Sequence, residues 1–173
     1  MEKVYIGMGS NMGDSLSILL NCLREMKGFL GNLQYSSLWQ TEPQIVKDQP
    51  FFLNLVVKGN FEGNPEKLIR KLWLLENSAG RDRSKERRKG PRPLDLDILL
   101  FGEHRIKTDI LTIPHPAMTD RAFVLVPLTE LDQNIKNPLN RKNYTDYLDS
   151  IDNQEFFCYK KQEDLSDLLQ NMK

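Results

Sequence analysis

Apolar positions recur at regular intervals through most of the chain, and the intervals name the elements. Lys3 to Gly9 is a short apolar run closing on glycines, which predicts a strand. Asn11 and Asp14 are candidate helix caps, and Leu16, Leu19, Leu20, Leu23, Met26 and Leu30 follow at helical spacing. Gly28 and Gly31 end that segment. Between Leu33 and Thr41, Leu33, Tyr35 and Trp39 fall on alternating positions and predict a second strand. Glu42 to Pro50 carries two prolines and reads as a loop, and Phe51 to Phe61 reads as a third strand. Asn64-Pro65 supplies a cap followed by Pro at the first helical position, with Leu68, Leu72, Leu75 and Ala79 as one apolar stripe and Gly80 as the stop. Leu94 to Phe101 is the fourth strand, and Gly102-Glu103 begins a turn. Further on the pattern predicts a short strand over Ile110 to Ile113 and a helix over Phe123 to Leu131. Leu165, Leu168, Leu169 and Met172 give a C-terminal amphipathic helix.

The order strand–helix–strand–strand–helix–strand is the split βαβ arrangement of ferredoxin-like folds. The expected class is therefore α+β: a βαββαβ core with a mainly antiparallel sheet, helices packed on it, and a C-terminal extension. At 173 residues one domain is expected, 1–173, with its core over about 3–131 and the extension over 132–173.

Composition narrows the function classes. The chain is 39% apolar, with 24 Lys+Arg against 24 Asp+Glu. Zero net charge argues against a broad electrostatic grip on nucleic acid or a membrane surface. No apolar run approaches the roughly 18–20 residues a span needs, and the N-terminus reads as a strand rather than a signal peptide. Cys22 and Cys158 form no CxxC, so reduced thiols and a cytoplasmic setting are expected rather than a zinc site.

The charge is unevenly placed, and that changes the picture. Residues 81–92 hold seven basic residues against Asp82 and Glu86, a formal +5. This run leads through Gly90-Pro91 into Leu94-Asp95-Leu96-Asp97-Ile98-Leu99-Leu100. On a strand, Leu94, Leu96, Ile98 and Leu100 share one face and Asp95 and Asp97 the other, about 7 Å apart. Alternation alone produces such acidic pairs on exposed strands. Beside a cationic loop, however, paired carboxylates suit a divalent cation shared with a polyphosphate, with arginine forks on the shifting charge. Phe52 and Asn54 share a strand face, where an aromatic and an amide can hold a flat heterocycle or simply belong to a second core. His115 sits in a rigid Pro114-His115-Pro116 turn, with Arg121 and Phe123 close behind. No Walker A loop or dinucleotide glycine fingerprint occurs.

Taken together, Gly9-Ser10-Asn11, Thr41-Glu42-Pro43, Asp48-Gln49-Pro50 through Phe52-Leu53-Asn54, Gly90-Pro91-Arg92 through Gly102, Pro114-His115-Pro116 and Arg121 through Leu125 resemble the 6-hydroxymethyl-7,8-dihydropterin pyrophosphokinase family, in that family's order. The resemblance implies a transferase that moves pyrophosphate from ATP to 6-hydroxymethyl-7,8-dihydropterin, releasing AMP, in folate biosynthesis. It implies two Mg²⁺ on Asp95 and Asp97. It puts Arg81, Arg92, Asp95 and Asp97 at the reaction, Arg81 as a loop arginine closing over the phosphates. Glu76, Arg92, Ile98, Thr112, His115 and Arg121 would bind ATP. Thr41, Pro43, Phe52, Asn54, Asp95 and Phe123 would line the pterin pocket, with Phe52 and Phe123 sandwiching the ring. A monomer is expected, with a dimer left open.

The chain departs from the family pattern at Lys89, where a Trp is usual, at Pro93, where a Thr is usual, and in a charged loop one residue longer. Lys89 removes an aromatic lid over the pterin site. An RNA-binding module is the main rival, since such sheets with a basic loop can bind single strands, but the chain lacks an RNP1 stretch. An inactive relative is the third reading, opposed by intact Arg92, Asp95, Asp97 and His115.

Overall fold

In the computed structural model the described residues are 1–43, 48–84, 90–151 and 156–172. The elements run β1 (Glu2–Ser10), α1 (Ser15–Met26), β2 (Leu30–Tyr35), β3 (Leu38–Thr41), β4 (Phe52–Phe61), α2 (Pro65–Ser78), β5 (Asp95–Phe101), β6 (Ile106–Lys107), β7 (Thr112–Ile113), α3 (Ala122–Leu131), β8 (Phe156–Lys160) and α4 (Gln162–Asn171). The main sheet has the order β5-β1-β4-β3-β8, with β2 also pairing β4, and all its pairs are antiparallel. The α+β class and ferredoxin-like core expected from the sequence are what the chain adopts.

Strand alternation gives the sheet two apolar faces. Val4, Ile6, Met8, Leu55, Val57, Leu94, Leu96 and Ile98 meet α1, α2 and α4 through Leu19, Leu23, Leu68, Leu72, Leu165 and Leu169. The opposite face carries Tyr5, Val56, Leu99 and Leu100 under Val124, Leu125 and Leu128 of α3. Beyond α3 that second face is a cleft rather than a core.

Several boundaries differ from the periodicity, each for a local reason. Of the two candidate caps, Asp14 serves α1, accepting the Ser17 N–H at 3.1 Å. Asn11 has other partners. Leu30 opens β2 rather than closing α1, because the chain turns at Gly28. The second predicted strand is two, broken at Ser36-Ser37, where Ser36 Oγ accepts the Val56 N–H at 3.0 Å and stands in for a strand carbonyl. Phe51 lies outside β4 and is 44% exposed. Leu100 does not share the face of Leu94 and Ile98. The β1–β5 register runs Tyr5↔Leu100 and then Ile6↔Ile98, so Leu99 is an extra residue that sends Leu100 to the α3 side and Phe101 to the main core.

The C-terminal extension is built into the fold. β8 extends the sheet from β3, α4 buries Leu165 and Leu169 against α1, and Tyr35 and Ser166 share a 2.8 Å hydrogen bond. No helix among the described residues is long and apolar enough to cross a membrane.

Candidate active site

Register across three strands builds the site. Gly9 of β1 stands between Asn54 of β4 and Asp95 of β5, and Gly7 stands between Val56 and Asp97. All six point to the cleft face. The two glycines make the central strand a trough, with an amide on one bank and two carboxylates on the other. Gly9 is required for close approach: a Cβ there would lie 2.7 Å from Asn54 Oδ1.

The trough is the floor of a cavity of about 120 Å³. Every residue expected around the pterin lines it: Thr41, Pro43, Phe52, Asn54, Asp95 and Phe123. Arg92, Asp97 and Arg121 line it as well. Asn54 Nδ2 donates to Thr41 Oγ1 at 2.8 Å, which fixes the amide and leaves its carbonyl side toward the trough. Arg92 lies over the Phe52 ring at 5.7 Å and Arg121 over Phe123 at 5.6 Å, so each expected ring wall is paired with a guanidinium. Arg92 Nε is buried with no partner among the described residues.

Asp95 is held on both oxygens. Arg81 Nη1 donates to Oδ1 at 2.7 Å and Arg92 Nη1 lies 3.3 Å from Oδ2. Asp97 is more open, with 43% of its side chain exposed and His115 Nε2 at 3.8 Å. Loss of solvation, then the charge of Asp95, raises the Asp97 carboxyl from 3.8 to about 6 against the pull of Arg121, Arg92 and Arg81. His115 is tied to the outer side of β5 by its N–H to Leu99 O at 2.9 Å. Its Nδ1 accepts from the Ala117 N–H at 3.3 Å, which leaves the proton on Nε2, facing Asp97. Burial, then Arg121, pushes the imidazole down to about 4, so it is neutral at physiological pH.

Glu76, Ile98 and Thr112, expected at the nucleotide, and the loop arginine Arg81 lie outside the cavity lining. Glu76 is 0% exposed and its oxygens are spent on Arg81, on Arg83 at 2.5 Å and on the Leu96 N–H at 2.9 Å. Its side chain does not reach the cavity. Burial raises its carboxyl pKa, while Arg83, the Leu96 N–H and Arg81 pull it back. Ile98 is 2% exposed in the main core, so its side chain does not reach the cavity. Thr112 lies in β7 and does not line the cavity. Arg81, expected to close over phosphates, is 6% exposed and turned inward to Glu76, Leu94 O and Asp95. The turn at Gly80, φ +89°, brings the chain back under β5. Lys85, Arg87, Arg88 and the Lys89 departure lie outside the described residues.

Asn11 is the site residue that periodicity missed. Buried to 3% exposure, it donates to Gln49 Oε1 at 3.1 Å and Pro50 O at 3.0 Å and accepts the Arg92 N–H at 2.9 Å. Its presence in the Gly9-Ser10-Asn11 motif was the only signal. Leu99 and Val124, apolar walls of the cavity, fall inside the motif segments but have no role assigned there.

The donor set suits a hard divalent cation. Asp95 and Asp97 offer carboxylate oxygens from one strand face, and no third carboxylate, His or Cys joins them in a closed cage among the described residues. Such a pair is the protein's share of a cation that completes its shell with water and phosphate oxygen.

A family model described as 7,8-dihydro-6-hydroxymethylpterin-pyrophosphokinase (HPPK) matches residues 5–133. An Aquifex aeolicus protein named 2-amino-4-hydroxy-6-hydroxymethyldihydropteridine pyrophosphokinase is 35% identical over 162 residues, covering 93% of this chain and 99% of its own length. A Bacillus subtilis protein of the same name is 40% identical over 134 residues, 76% of this chain and 79% of that protein. An Arabidopsis thaliana folate synthesis bifunctional protein is 43% identical over 131 residues, 75% of this chain, and the match spans only 27% of that longer protein. The fold matches a crystal structure of wild-type Plasmodium falciparum HPPK-DHPS with pteroate at a TM-score of 0.67 and 15% identity, over 86% of this chain and 42% of that one. The chain belongs to the 7,8-dihydro-6-hydroxymethylpterin-pyrophosphokinase family.

Proposed function

We propose that this chain transfers pyrophosphate from ATP to the hydroxymethyl group of 6-hydroxymethyl-7,8-dihydropterin, releasing AMP, with the division of labour that follows. Family membership carries the reaction and its place in folate biosynthesis. The observation that carries the division of labour is the register Asn54–Gly9–Asp95 beside Val56–Gly7–Asp97. It sets an aromatic–amide pocket and a carboxylate pair at opposite banks of one trough, the spacing a reaction between a heterocycle and a polyphosphate needs.

The pterin ring lies between Phe52 and Phe123, with Asn54 and Thr41 meeting its edge. Orienting the ring sets its hydroxymethyl group toward the Asp95 bank, which replaces a bimolecular encounter by a fixed approach. Asp95 and Asp97 would hold the two Mg²⁺ expected with the triphosphate. Those cations, when bound, neutralise phosphate oxygens and orient the chain of phosphates. Arg92 and Arg121 donate to phosphate oxygens, and Arg92 Nε is a donor with no acceptor to give up among the described residues. Neutral His115 offers its Nε2–H at the same bank. These donors stabilise charge that develops on the transferred group, in line with the electrostatic character of phosphoryl transfer.

The test is direct. Purified protein incubated with ATP, Mg²⁺ and hydroxymethyldihydropterin releases AMP, and Asp97→Ala, which leaves the core intact, loses most of that turnover. Mg²⁺-dependent activity near the native level in Asp97→Ala overturns the cation assignment.

A further inference from the structure

We propose that Glu76 is a positioning residue for Asp95, acting through Arg81. The strength of that hold sets how readily Asp95 yields an oxygen to a divalent cation. The inference rests on the reading of Asp95 and Asp97 as cation ligands.

Glu76 and Asp95 do not touch, but one guanidinium nitrogen joins them. Arg81 Nη1 donates to Glu76 Oε1, to Leu94 O at 3.1 Å and to Asp95 Oδ1 at 2.7 Å. That nitrogen has two hydrogens for three acceptors, so the acceptors compete. The Arg81 side chain is 4% exposed, and that of Glu76 is 0% exposed, so water does not relieve the competition. Glu76 is held in its turn, with the Leu96 N–H at 2.9 Å on Oε1 and Arg83 at 2.5 Å on Oε2. Leu96 is the strand neighbour of Asp95, so the carboxylate of α2 grips both the backbone beside the ligand and the arginine on the ligand.

The consequence is a graded release. A full charge on Glu76 draws Arg81 back and leaves the Arg81–Asp95 bond exchangeable. Without that charge the two hydrogens turn to Asp95 and Leu94 O, and a cation must displace a stronger ion pair. Arg83, with 52% of its side chain exposed, works in the opposite sense, because it occupies part of the Glu76 charge.

The probe is Mn²⁺, titrated by electron paramagnetic resonance into the full chain saturated with α,β-methylene-ATP, with circular dichroism to confirm folding. Outer partners of metal ligands typically change affinity by about 10-fold or more. Glu76→Gln keeps an oxygen for the Leu96 N–H and is expected to weaken Mn²⁺ binding about 10-fold. Arg81→Gln is expected to tighten it, and the double variant to follow Arg81→Gln, since the Leu96 N–H keeps its acceptor and the link through Arg81 is gone. Arg83→Gln, an exposed substitution, is expected to tighten binding and serves if Arg81→Gln does not fold. Unchanged Mn²⁺ affinity in folded Glu76→Gln overturns the inference, as does an equal loss in the Arg81→Gln background or weaker binding in Arg83→Gln. Mn²⁺ binding in the native chain that is indifferent to Asp97→Ala overturns instead the ligand reading beneath it.

Discussion

Asn11 and Arg92 exchange two hydrogen bonds. Asn11 Oδ1 accepts the Arg92 N–H at 2.9 Å, and the Asn11 N–H donates to Arg92 O at 3.2 Å. The end of β1 thereby fixes the residue that leads the cationic loop into β5. The same Asn11 amide holds Gln49 and Pro50, so one buried side chain spans both walls of the cavity. Asn11→Ala strands a backbone N–H and a carbonyl in a buried site, with an expected loss of about 1–3 kcal/mol in urea unfolding. Because Arg92 loses its anchor, kcat/KM is expected to fall further than stability alone explains, by about 10-fold or more. Normal turnover in a folded variant would show that Arg92 is positioned by something else.

Asp97 couples stability to pH. Its folded carboxyl is raised from 3.8 to about 6, so the folded state binds a proton more tightly than the unfolded state. The stability this contributes is fully present below about pH 4 and is lost as pH rises through about 6. Asp97→Asn, which cannot ionise, is therefore expected to have a higher Tm than the native chain at pH 7–8 without metal, and an equal one near pH 4. Differential scanning fluorimetry across that range checks it, and a Tm difference independent of pH contradicts the cause given. The same ionisation predicts that cation-dependent nucleotide binding weakens below about pH 6, where Asp97 is protonated.

Phe123 lines the cavity while its neighbour Arg121 lies over the same ring. Phe123→Ala removes an aromatic wall and is expected to weaken binding of a pterin analogue by about 10-fold or more. Nucleotide-analogue affinity is expected to stay within about two-fold. Calorimetric titrations with each ligand separate the two, and equal losses for both would contradict the assignment of Phe123 to the pterin bank.

On the opposite sheet face, Leu165 is 1% exposed in the core that α4 shares with α1. Leu165→Ala is expected to cost about 2–5 kcal/mol, leaving KM for either substrate unchanged, since α4 packs on the sheet face away from the trough. A variant as stable as the native chain would mean that α4 is not docked in solution.

Much of this fold was legible because two faces of one sheet impose two periodicities. The capped helix at Asn64-Pro65, the strand from Lys3 to Gly9 and the shared face of Asp95 and Asp97 all follow from local pattern. What escaped was long-range. The Leu99 bulge depends on the register between β1 and β5, so Leu100 looked like a core partner of Ile98 when it belongs under α3. Asn11 looked like a cap because caps and buried tethers use the same side chain. Arg81 read as a loop arginine closing over phosphates, and only the turn at Gly80 takes it beneath β5 to Glu76. The trough itself was hidden because Gly7 and Gly9 read as strand-ending glycines, and their function depends on Asn54 and Asp95 arriving from strands that are distant in sequence.

The central claim is that both terminal phosphates of ATP pass together from the Asp95–Asp97 bank to a pterin held by Phe52, Asn54 and Phe123. Phosphorus NMR of the reaction mixture with ATP, Mg²⁺ and hydroxymethyldihydropterin tests it most directly. The expected result is AMP with an equal amount of a pterin product showing two coupled phosphorus signals, both lost in Asp97→Ala. ADP with a singly phosphorylated pterin, or the same diphosphate product from Asp97→Ala at the native rate, would contradict it.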